Sequence, residues 1–355
     1  MDFSLFYFAN DSTASGTAGR YELLTEGARF ADRNGFTAVW TPERHFHPFG
    51  GLYPNPAVTG AALATVTERI AIRAGSVVAP LGHPLRIAED WSVVDNLSHG
   101  RAGVSFASGW HPTDFVLRPE AHARRKELLT ETVETVRALW RGESVTLPDG
   151  RGADAEVRVY PPAVQGELPC WITSAGSADT FRTAGELNAG VLTHLLGQDL
   201  DELAGKLAVY RAALREHHGE QARGHVVLML HTFLGTDTEE VRELVRPSLS
   251  AYLKTSFGLL SGTVNADAAV FDRSAVREAD VDYLVERAFQ RFFDRQGIFG
   301  TVERALGVVE RLEALGIDEV GCLVDFGVDT ERTLKSLEHL NDLRIRAAGQ
   351  CMGAV

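Results

Sequence analysis

The chain has 355 residues, 45% of them hydrophobic and 23% charged, and 48 acidic against 35 basic side chains give it a formal charge of −13. A protein this acidic lacks the basic face that neutralises nucleic-acid phosphates, so no nucleic-acid partner is expected. The composition is that of a globular protein with a large core, and the length allows one to three domains.

Cysteine content and the start of the chain indicate the compartment. The three cysteines, Cys170, Cys322 and Cys351, are odd in number and far apart, which argues against a disulfide framework. The apolar run at the start carries an acid and no basic group, unlike a signal peptide. No run reaches about 18 uninterrupted apolar residues, so no membrane span is predicted. We therefore expect a cytoplasmic protein.

Short runs rich in β-branched and aromatic residues alternate with longer amphipathic patterns along the chain. The runs predict strands at 3–8, 38–41, 70–78, 101–106, 170–174, 190–194, 226–233 and 319–324. Helical patterns lie at 21–34, 85–97, 123–140, 180–187, 200–217, 239–253 and 302–315. This alternation favours an α/β fold of the (β/α)8 TIM-barrel type. An open doubly wound sheet is the alternative, but the sequence has neither its G-x-G-x-x-G motif nor a P-loop.

Two segments depart from the repeat, so we predict one barrel over residues 1–355 with two insertions. Residues 142–169 contain Pro148-Asp149-Gly150 and a pair of prolines, which predict a hairpin and a linker. Residues 256–300 delay the next unit and predict a lid over the active site. The apolar side chains of this lid would cover the mouth, or form a helix core or a dimer contact: Phe257, Leu259, Leu260, Tyr283, Phe289, Phe292 and Phe293.

Candidate functional groups follow the strands, because the active sites of such barrels lie at the carboxyl ends of the strands. Histidines follow the second, third, fourth and sixth strands and are expected to converge at one mouth: His45, His47, His83, His111 and His194. Each of them could instead bond locally within its loop. His45 and His47 beside Glu43 could begin a metal site, but no H-E-x-x-H motif is present, so no metal is predicted.

The turn Ser174-Ala175-Gly176-Ser177 leads from the fifth strand directly into a helix. Backbone N–H groups at the amino terminus of a helix attract anions, so this turn is a candidate phosphate site. On local sequence alone, an ordinary helix start capped by Ser177 is the simpler interpretation. Ser108-Gly109, after the fourth strand, could likewise bring the backbone close to a cofactor or only turn the chain.

Longer motifs resemble those of the bacterial luciferase-like flavin-dependent monooxygenases. They comprise Glu43-Arg44-His45-Phe46, the block at 75–101 and the turn at 174–177. The likeness covers nearly the whole chain. Residues 40–46 and 317–329 are most similar to the branch found in natural-product pathways, beside or within peptide and polyketide synthetases.

The resemblance implies a reduced flavin, FMNH2, at the barrel mouth, which reacts with O2 to give a C4a-peroxyflavin that oxygenates an organic substrate. The cofactor supplies the redox chemistry, and the protein positions it, excludes water and supplies proton donors. A separate flavin reductase, a small-molecule or carrier-protein-tethered substrate and a homodimer are implied as well.

Positions of the family can be carried over residue by residue. The peptide joining Gly75 and Ser76 falls where the family commonly has a non-proline cis bond beneath the flavin ring. The other positions that match flavin contacts are Glu43, Ser108, Gly109, Ala175, Gly176 and Ser177, of which the last three face the phosphate.

Two positions depart from luciferase. Arg44 stands where luciferase carries a catalytic histidine, and a permanent cation is a poor acid or base but can stabilise an oxygen anion. His45 is therefore the expected proton-transfer group. Ser108 replaces an arginine that grips the phosphate, so phosphate binding is expected to depend more on the turn at 174–177. The resemblance places Trp110, His111, Asp114 and His194 on the substrate side.

Three alternatives stay open. The superfamily also includes F420-dependent oxidoreductases, which transfer a hydride on the same barrel without oxygen. A metal-dependent barrel hydrolase is disfavoured by the missing metal motif. A non-catalytic flavin-binding protein is disfavoured because the residues of the mouth are present.

Overall fold

The computed structural model describes residues 1–8, 19–263 and 278–352. In chain order the strands are β1 (Asp2–Phe6), β2 (Ala38–Thr41), β3 (Ala71–Val78), β4 (Ala102–Ala107), β5 (Val145–Pro148), β6 (Asp154–Val157), β7 (Cys170–Ser174), β8 (Gly190–His194), β9 (Val226–Leu234), β10 (Ile298–Gly300) and β11 (Glu319–Leu323). The α-helices are α1 (Glu22–Arg33), α2 (Pro56–Ala64), α3 (Pro84–Ser98), α4 (Arg125–Trp140), α5 (Ala178–Glu186), α6 (Leu200–His218), α7 (Thr238–Thr263), α8 (Glu278–Arg291), α9 (Val302–Ala314) and α10 (Thr330–Met352). Short 3-10 helices form at Ala79–Leu81, Pro112–Leu117 and Pro119–Ala121, and a π-helix forms at Phe292–Gln296.

The strands close into a parallel barrel in the order β1, β2, β3, β4, β7, β8, β9 and β11, with β11 pairing again with β1. This confirms the predicted (β/α)8 barrel and rules out the open sheet, because β8 pairs with β9 and leaves no gap. Each predicted strand forms, and the differences lie at strand ends, where β1 for example spans Asp2–Phe6 rather than 3–8.

Several elements went unpredicted. β10 pairs with the end of β9, Ile298 opposite Thr232, inside the predicted lid. α2 begins at the N-cap Asn55, but its small and apolar residues give no amphipathic stripe to read. α10 packs against α9 and α1 and completes the outer ring. None of the helices in the described ranges is long and apolar enough to cross a membrane.

The structure describes the whole of the first predicted insertion and only part of the second. In the first, β5 and β6 pair as an antiparallel hairpin, Val145 opposite Val157. In the second, α7 runs past the predicted helix end at 253, and α8 leads through the π-helix into β10. Residues 264–277 lie outside the described residues, as do the side chains of 256–282, including Phe257, Leu259 and Leu260. The division into one barrel with two insertions stays a prediction.

Alternate residues of the strands face different cores. One face of each strand packs against the surrounding helices. The other face fills the barrel, and this inner cluster continues upward from Met229 and Phe233 to aromatic side chains of α7 and the π-helix, including Tyr252, Phe292 and Phe293. The predicted lid aromatics Phe292 and Phe293 are therefore buried core residues, whereas Tyr283 is exposed.

A buried ion pair closes the amino-terminal end of the barrel. Glu319 Oε2 accepts from Arg73 Nη1 at 2.8 Å, and Glu319 Oε1 accepts from the Trp40 indole at 2.9 Å. The Arg73 guanidinium lies over the rings of Trp40 and Trp171, 5.0 Å and 4.5 Å from their centres. The barrel is thus a packed core at this end, and its opposite end holds the loops predicted to carry function.

Candidate active site at the barrel mouth

The inner wall of the mouth is built from β3, β4 and β7. The peptide joining Gly75 and Ser76 is cis, as the resemblance led us to expect. A Cβ atom at Gly75 would lie 2.7 Å from the Phe6 ring, so only glycine fits there. The Ser76 hydroxyl lies 2.5 Å from that of Thr173, which in turn lies 2.6 Å from that of Ser105. The three hydroxyls form one polar row inside the barrel.

Glu43 joins the loop after β2 to the end of β3. Its Oε2 accepts a hydrogen bond from the backbone N–H of Val78 at 2.7 Å, and its Oε1 lies 2.9 Å from His45 Nε2. The Glu43 and His45 side chains are 15% and 13% exposed. The carboxylate therefore fixes both the loop and the imidazole ring, which keeps some access to solvent.

Arg44 lies in a second cluster with residues of the loop after β4. Its Nη1 donates to Asp114 Oδ2 at 2.9 Å, and the two side chains are only 3% and 8% exposed. The guanidinium carbon lies 5.2 Å from the centre of the Trp110 ring. Arg44 Nε and Nη2 and Asp114 Oδ1 are buried and have no hydrogen-bond partner within the described residues. Such unpaired buried groups are costly, and they mark places where a ligand can supply the missing partner.

The histidines around this pair are kept neutral. His111 Nδ1 lies 3.4 Å from Asp114 Oδ1. Burial first, and then the nearby Arg44 charge, lower the pKa of His111, and the same two causes lower the pKa of His47. His83 does not join this cluster, because its ring accepts from Leu85 N and caps α3. For His83 the local interpretation is correct.

The turn at 174–177 has the geometry of an open helix start. Ser177 is the N-cap of α5 but its side chain makes no capping hydrogen bond, contrary to the plain N-cap interpretation. Gly176 has φ +124°, and its N–H donates to Ser174 Oγ at 3.3 Å. Ala175 and Ser177 are exposed. The turn therefore leaves a helix amino terminus accessible to an anion.

Two further histidines face the barrel interior from β8 and β9. His194 Nδ1 accepts from Leu196 N at 3.1 Å, and burial lowers its pKa to about 4. His231 is 2% exposed, and its ring meets those of Tyr252, Phe292 and Phe326 edge-on. Burial, and then the neighbouring His194, lower the pKa of His231 to about 3. Both rings are neutral in the folded protein near pH 7.

His231 should make stability fall on acidification. Its pKa rises from about 3 in the folded chain to about 6.5 in the unfolded chain, so the unfolded state binds more protons as pH drops below 6.5. Urea unfolding at pH 7.5 and at pH 5 measures how much the free energy of unfolding falls between the two pH values. This fall should be about 2 kcal/mol smaller in His231→Leu than in the wild type. The exposed His217 gives the matched control His217→Gln, which should keep the wild-type fall. Equal falls in wild type and His231→Leu would contradict this assignment.

Some site residues escaped the sequence analysis. Ser105, Thr173 and His231 lie within strands buried on both faces, where no polar alternation distinguishes the inner side. Asp325, just after β11, accepts from Phe8 N and from the Tyr53 hydroxyl, and burial raises its pKa well above the ordinary value. Its position directly after a strand was the available signal.

Other features of the surface include none of the predicted site residues. Two cavities, of about 620 and 790 Å³, are lined by residues of α8, of the π-helix and, for the smaller, of the start of α6, but by none of the predicted site residues. Within the described ranges, one group of His and carboxylate side chains has metal-like spacing, namely Asp2, His225 and Glu319. Glu319 there is already paired with Arg73, so the group is part of the barrel floor.

Comparison with known proteins gives a family and relatives. The sequence pattern of the luciferase-like monooxygenases matches residues 1–319. The chain is 24% identical over 346 residues to the oxygenase component of the flavin-dependent trigonelline monooxygenase of Acinetobacter baylyi, an alignment that covers 96% of this chain and 93% of that protein.

Solved structures share the fold at low identity. Monooxygenase RslO1 from Streptomyces bottropensis matches with a TM-score of 0.78 at 21% identity, over 98% of this chain and 99% of that one. A second match is the oxygenating constituent of 3,6-diketocamphane monooxygenase from Pseudomonas putida, in complex with FMN. Its TM-score is 0.75 at 19% identity, over 96% of both chains. An F420-dependent secondary alcohol dehydrogenase matches with a TM-score of 0.71 at 16% identity, over 96% of this chain and 97% of that one.

Proposed function

The chain belongs to the luciferase-like monooxygenase family, and on that premise we propose that it binds reduced FMN at the barrel mouth and uses O2 to oxygenate an organic substrate. The alternative on the same barrel is hydride transfer with F420, whose enzymes share this fold. FMN is favoured by the match to flavin-dependent relatives and by the site itself.

The observation that carries the FMN proposal is the open amino terminus of α5. Ser177 leaves the first N–H groups of the helix without a side-chain cap, and Gly176 has no Cβ to narrow the turn. A phosphate needs several N–H donors at once, and an uncapped helix start provides them.

The flavin would be held by residues from three loops. Ala175, Gly176 and Ser177 would bind the phosphate, whereas Gly75, Ser76, Ser108 and Gly109 would contact the rest of the cofactor. Glu43 would fix the strand end at Val78 against which the ring rests. When bound, reduced FMN supplies the electrons that activate O2, so that one oxygen atom enters the substrate and the other leaves as water.

The chain itself supplies charge and protons around the reacting oxygen. Arg44, whose Nε and Nη2 have no hydrogen-bond partner among the residues that the structure describes, would stabilise a negatively charged oxygen, and Asp114 positions its guanidinium. His45, whose Nε2 is held by Glu43, would donate or accept a proton at its other ring nitrogen, Nδ1. Trp110, His111 and His194 would line the substrate side, where 46% exposure of Trp110 leaves apolar surface for an organic molecule.

Partners and setting follow from the relatives. The trigonelline enzyme is an oxygenase component, which supports supply of reduced flavin by a separate reductase. A natural-product substrate, free or tethered to a carrier protein, is the substrate class that we propose. The homodimer and the cytoplasmic location stay predictions.

An anaerobic titration tests the cofactor. The purified protein should bind dithionite-reduced FMN more tightly than F420, and admission of O2 should reoxidise the bound flavin more slowly than free flavin, because binding in the barrel mouth shields the ring from solvent. Isothermal calorimetry measures the binding, and stopped-flow absorbance the reoxidation. Tight, selective binding of F420, or reoxidation as fast as in free solution, would contradict the proposal.

A further inference from the structure

The proposed phosphate site poses a charge problem. The flavin phosphate is an anion, the protein carries −13, and Ser108 is neutral at the position where the resemblance implies an arginine. We propose that Lys206, on α6 and held in place by Gln198, is the cation that binds this phosphate. The inference rests on the proposed FMN-dependent function and deepens it by naming the residue that distinguishes FMN from riboflavin.

Lys206 lies directly beside the turn. A Cβ atom built on Gly176 would be 3.3 Å from Lys206 Nζ and 3.5 Å from Gln198 Oε1. The side of Gly176 that carries no side chain therefore faces the ammonium group. An anion bound to the N–H groups at the start of α5 would lie within reach of this ammonium.

Lys206 has no acidic partner among the residues that the structure describes. Its ammonium donates to the neutral amide oxygen of Gln198 at 2.8 Å, and within the described part of the chain no carboxylate forms an ion pair with it. Glu202, one turn earlier on α6, is engaged elsewhere, since its Oε2 accepts from Asp199 N in the capping box that starts the helix. A half-buried ammonium without a counter-ion is suited to an anionic ligand.

Gln198 holds the lysine in this position. It is 4% exposed, and its Nε2 donates to His194 O at 2.6 Å and to Thr193 Oγ1 at 3.1 Å. The Thr193 hydroxyl donates in turn to Ser174 O at 2.8 Å, at the start of the turn. This chain of hydrogen bonds connects β7, β8 and α6, so the ammonium and the N–H groups keep a fixed separation. The charge comes from a helix two strands away from Ser108, so it would supply from another loop the cation that the resemblance implies at position 108.

Lys206→Met removes the charge and keeps the length of the side chain. We expect the dissociation constant for reduced FMN to rise roughly 10- to 100-fold, as for loss of a hydrogen bond to a charged group, while that for reduced riboflavin stays unchanged. Anaerobic equilibrium dialysis of the full chain with each flavin measures both constants without any substrate. Lys206→Arg should retain much of the preference for FMN.

Controls separate this inference from the proposed function. Lys335→Met, which removes an exposed lysine on α10 paired with Glu331, should leave both constants unchanged, and the thermal midpoint reports folding of each variant. An unchanged FMN constant in Lys206→Met, or an equal loss for both flavins, overturns the role of Lys206 while the FMN proposal stands. A wild-type protein without preference for FMN over riboflavin overturns the proposed phosphate site and the inference with it.

Discussion

We expect Arg44→Met to lower the free energy of unfolding by about 3–5 kcal/mol, the usual cost of breaking one side of a buried ion pair. Asp114 would keep its charge at 8% exposure and lose the cation that balances it. The nearest other donor to Asp114 is His111 Nδ1, at 3.4 Å from Oδ1, which is too long to replace the bond from Arg44. Urea unfolding at pH 7.5, with the transition followed by circular dichroism, measures the change.

A double-variant cycle isolates the pair. Arg44→Met/Asp114→Asn removes both charges and should recover a large part of the loss, because no isolated buried charge remains. Arg86→Met gives the exposed counterpart: Arg86 pairs with Glu89 and Asp90 at 68% exposure, and its loss should cost about 0–1 kcal/mol. If the single Arg44 variant and the Arg86 variant lost the same free energy, the burial argument would fail.

The second large effect is expected at the floor of the barrel. Glu319→Leu leaves the Arg73 guanidinium between Trp40 and Trp171 without its carboxylate partner. It also removes one of the two hydrogen-bond acceptors of the Trp40 indole. Glu319 is fully buried, so we expect the free energy of unfolding to fall by about 3–5 kcal/mol. The double variant Arg73→Met/Glu319→Leu should recover most of this loss, because apolar side chains of similar size can fill the barrel there.

This second prediction also separates stability from function. The floor lies at the amino ends of the strands, whereas the proposed flavin site lies at their carboxyl ends. The double variant should therefore bind reduced FMN with the wild-type dissociation constant, measured by the same dialysis as for Lys206. A loss of FMN binding in a folded double variant would show that the two ends of the barrel are coupled.

The lowered pKa of Glu319 also makes the stability of the barrel floor depend on pH. Burial raises the pKa of this carboxyl, but the Arg73 charge and the hydrogen bonds from Ser4 and Trp40 outweigh it, so the pKa is lowered overall. A lowered folded pKa means that the stabilisation is present above the unfolded pKa and is lost as pH falls through the folded value. The floor is therefore fully stabilised at neutral pH.

Much of the fold could be predicted from the sequence, because the spacing of apolar residues and the turn residues between elements are local properties. Strands such as β2 and β8 were predicted with their observed bounds, since each is a short apolar run between turn signals. β10 and α2 were missed because neither has a pattern of its own: three residues make too short a run, and small residues give no stripe. Their formation depends on neighbours, β9 for the strand and the barrel wall for the helix.

The sequence by itself determined the class of fold and the family, because these depend on residue order and on motifs such as Glu43-Arg44-His45-Phe46, and it predicted which loops form the candidate site. Only the tertiary structure decided which side chains meet. Arg44 pairs with Asp114 and Lys206 faces Gly176 across separations of 70 and 30 residues, distances along the chain at which no local pattern records a contact. Closure of the barrel brings such groups together, because it places loops that follow different strands at one end of the molecule.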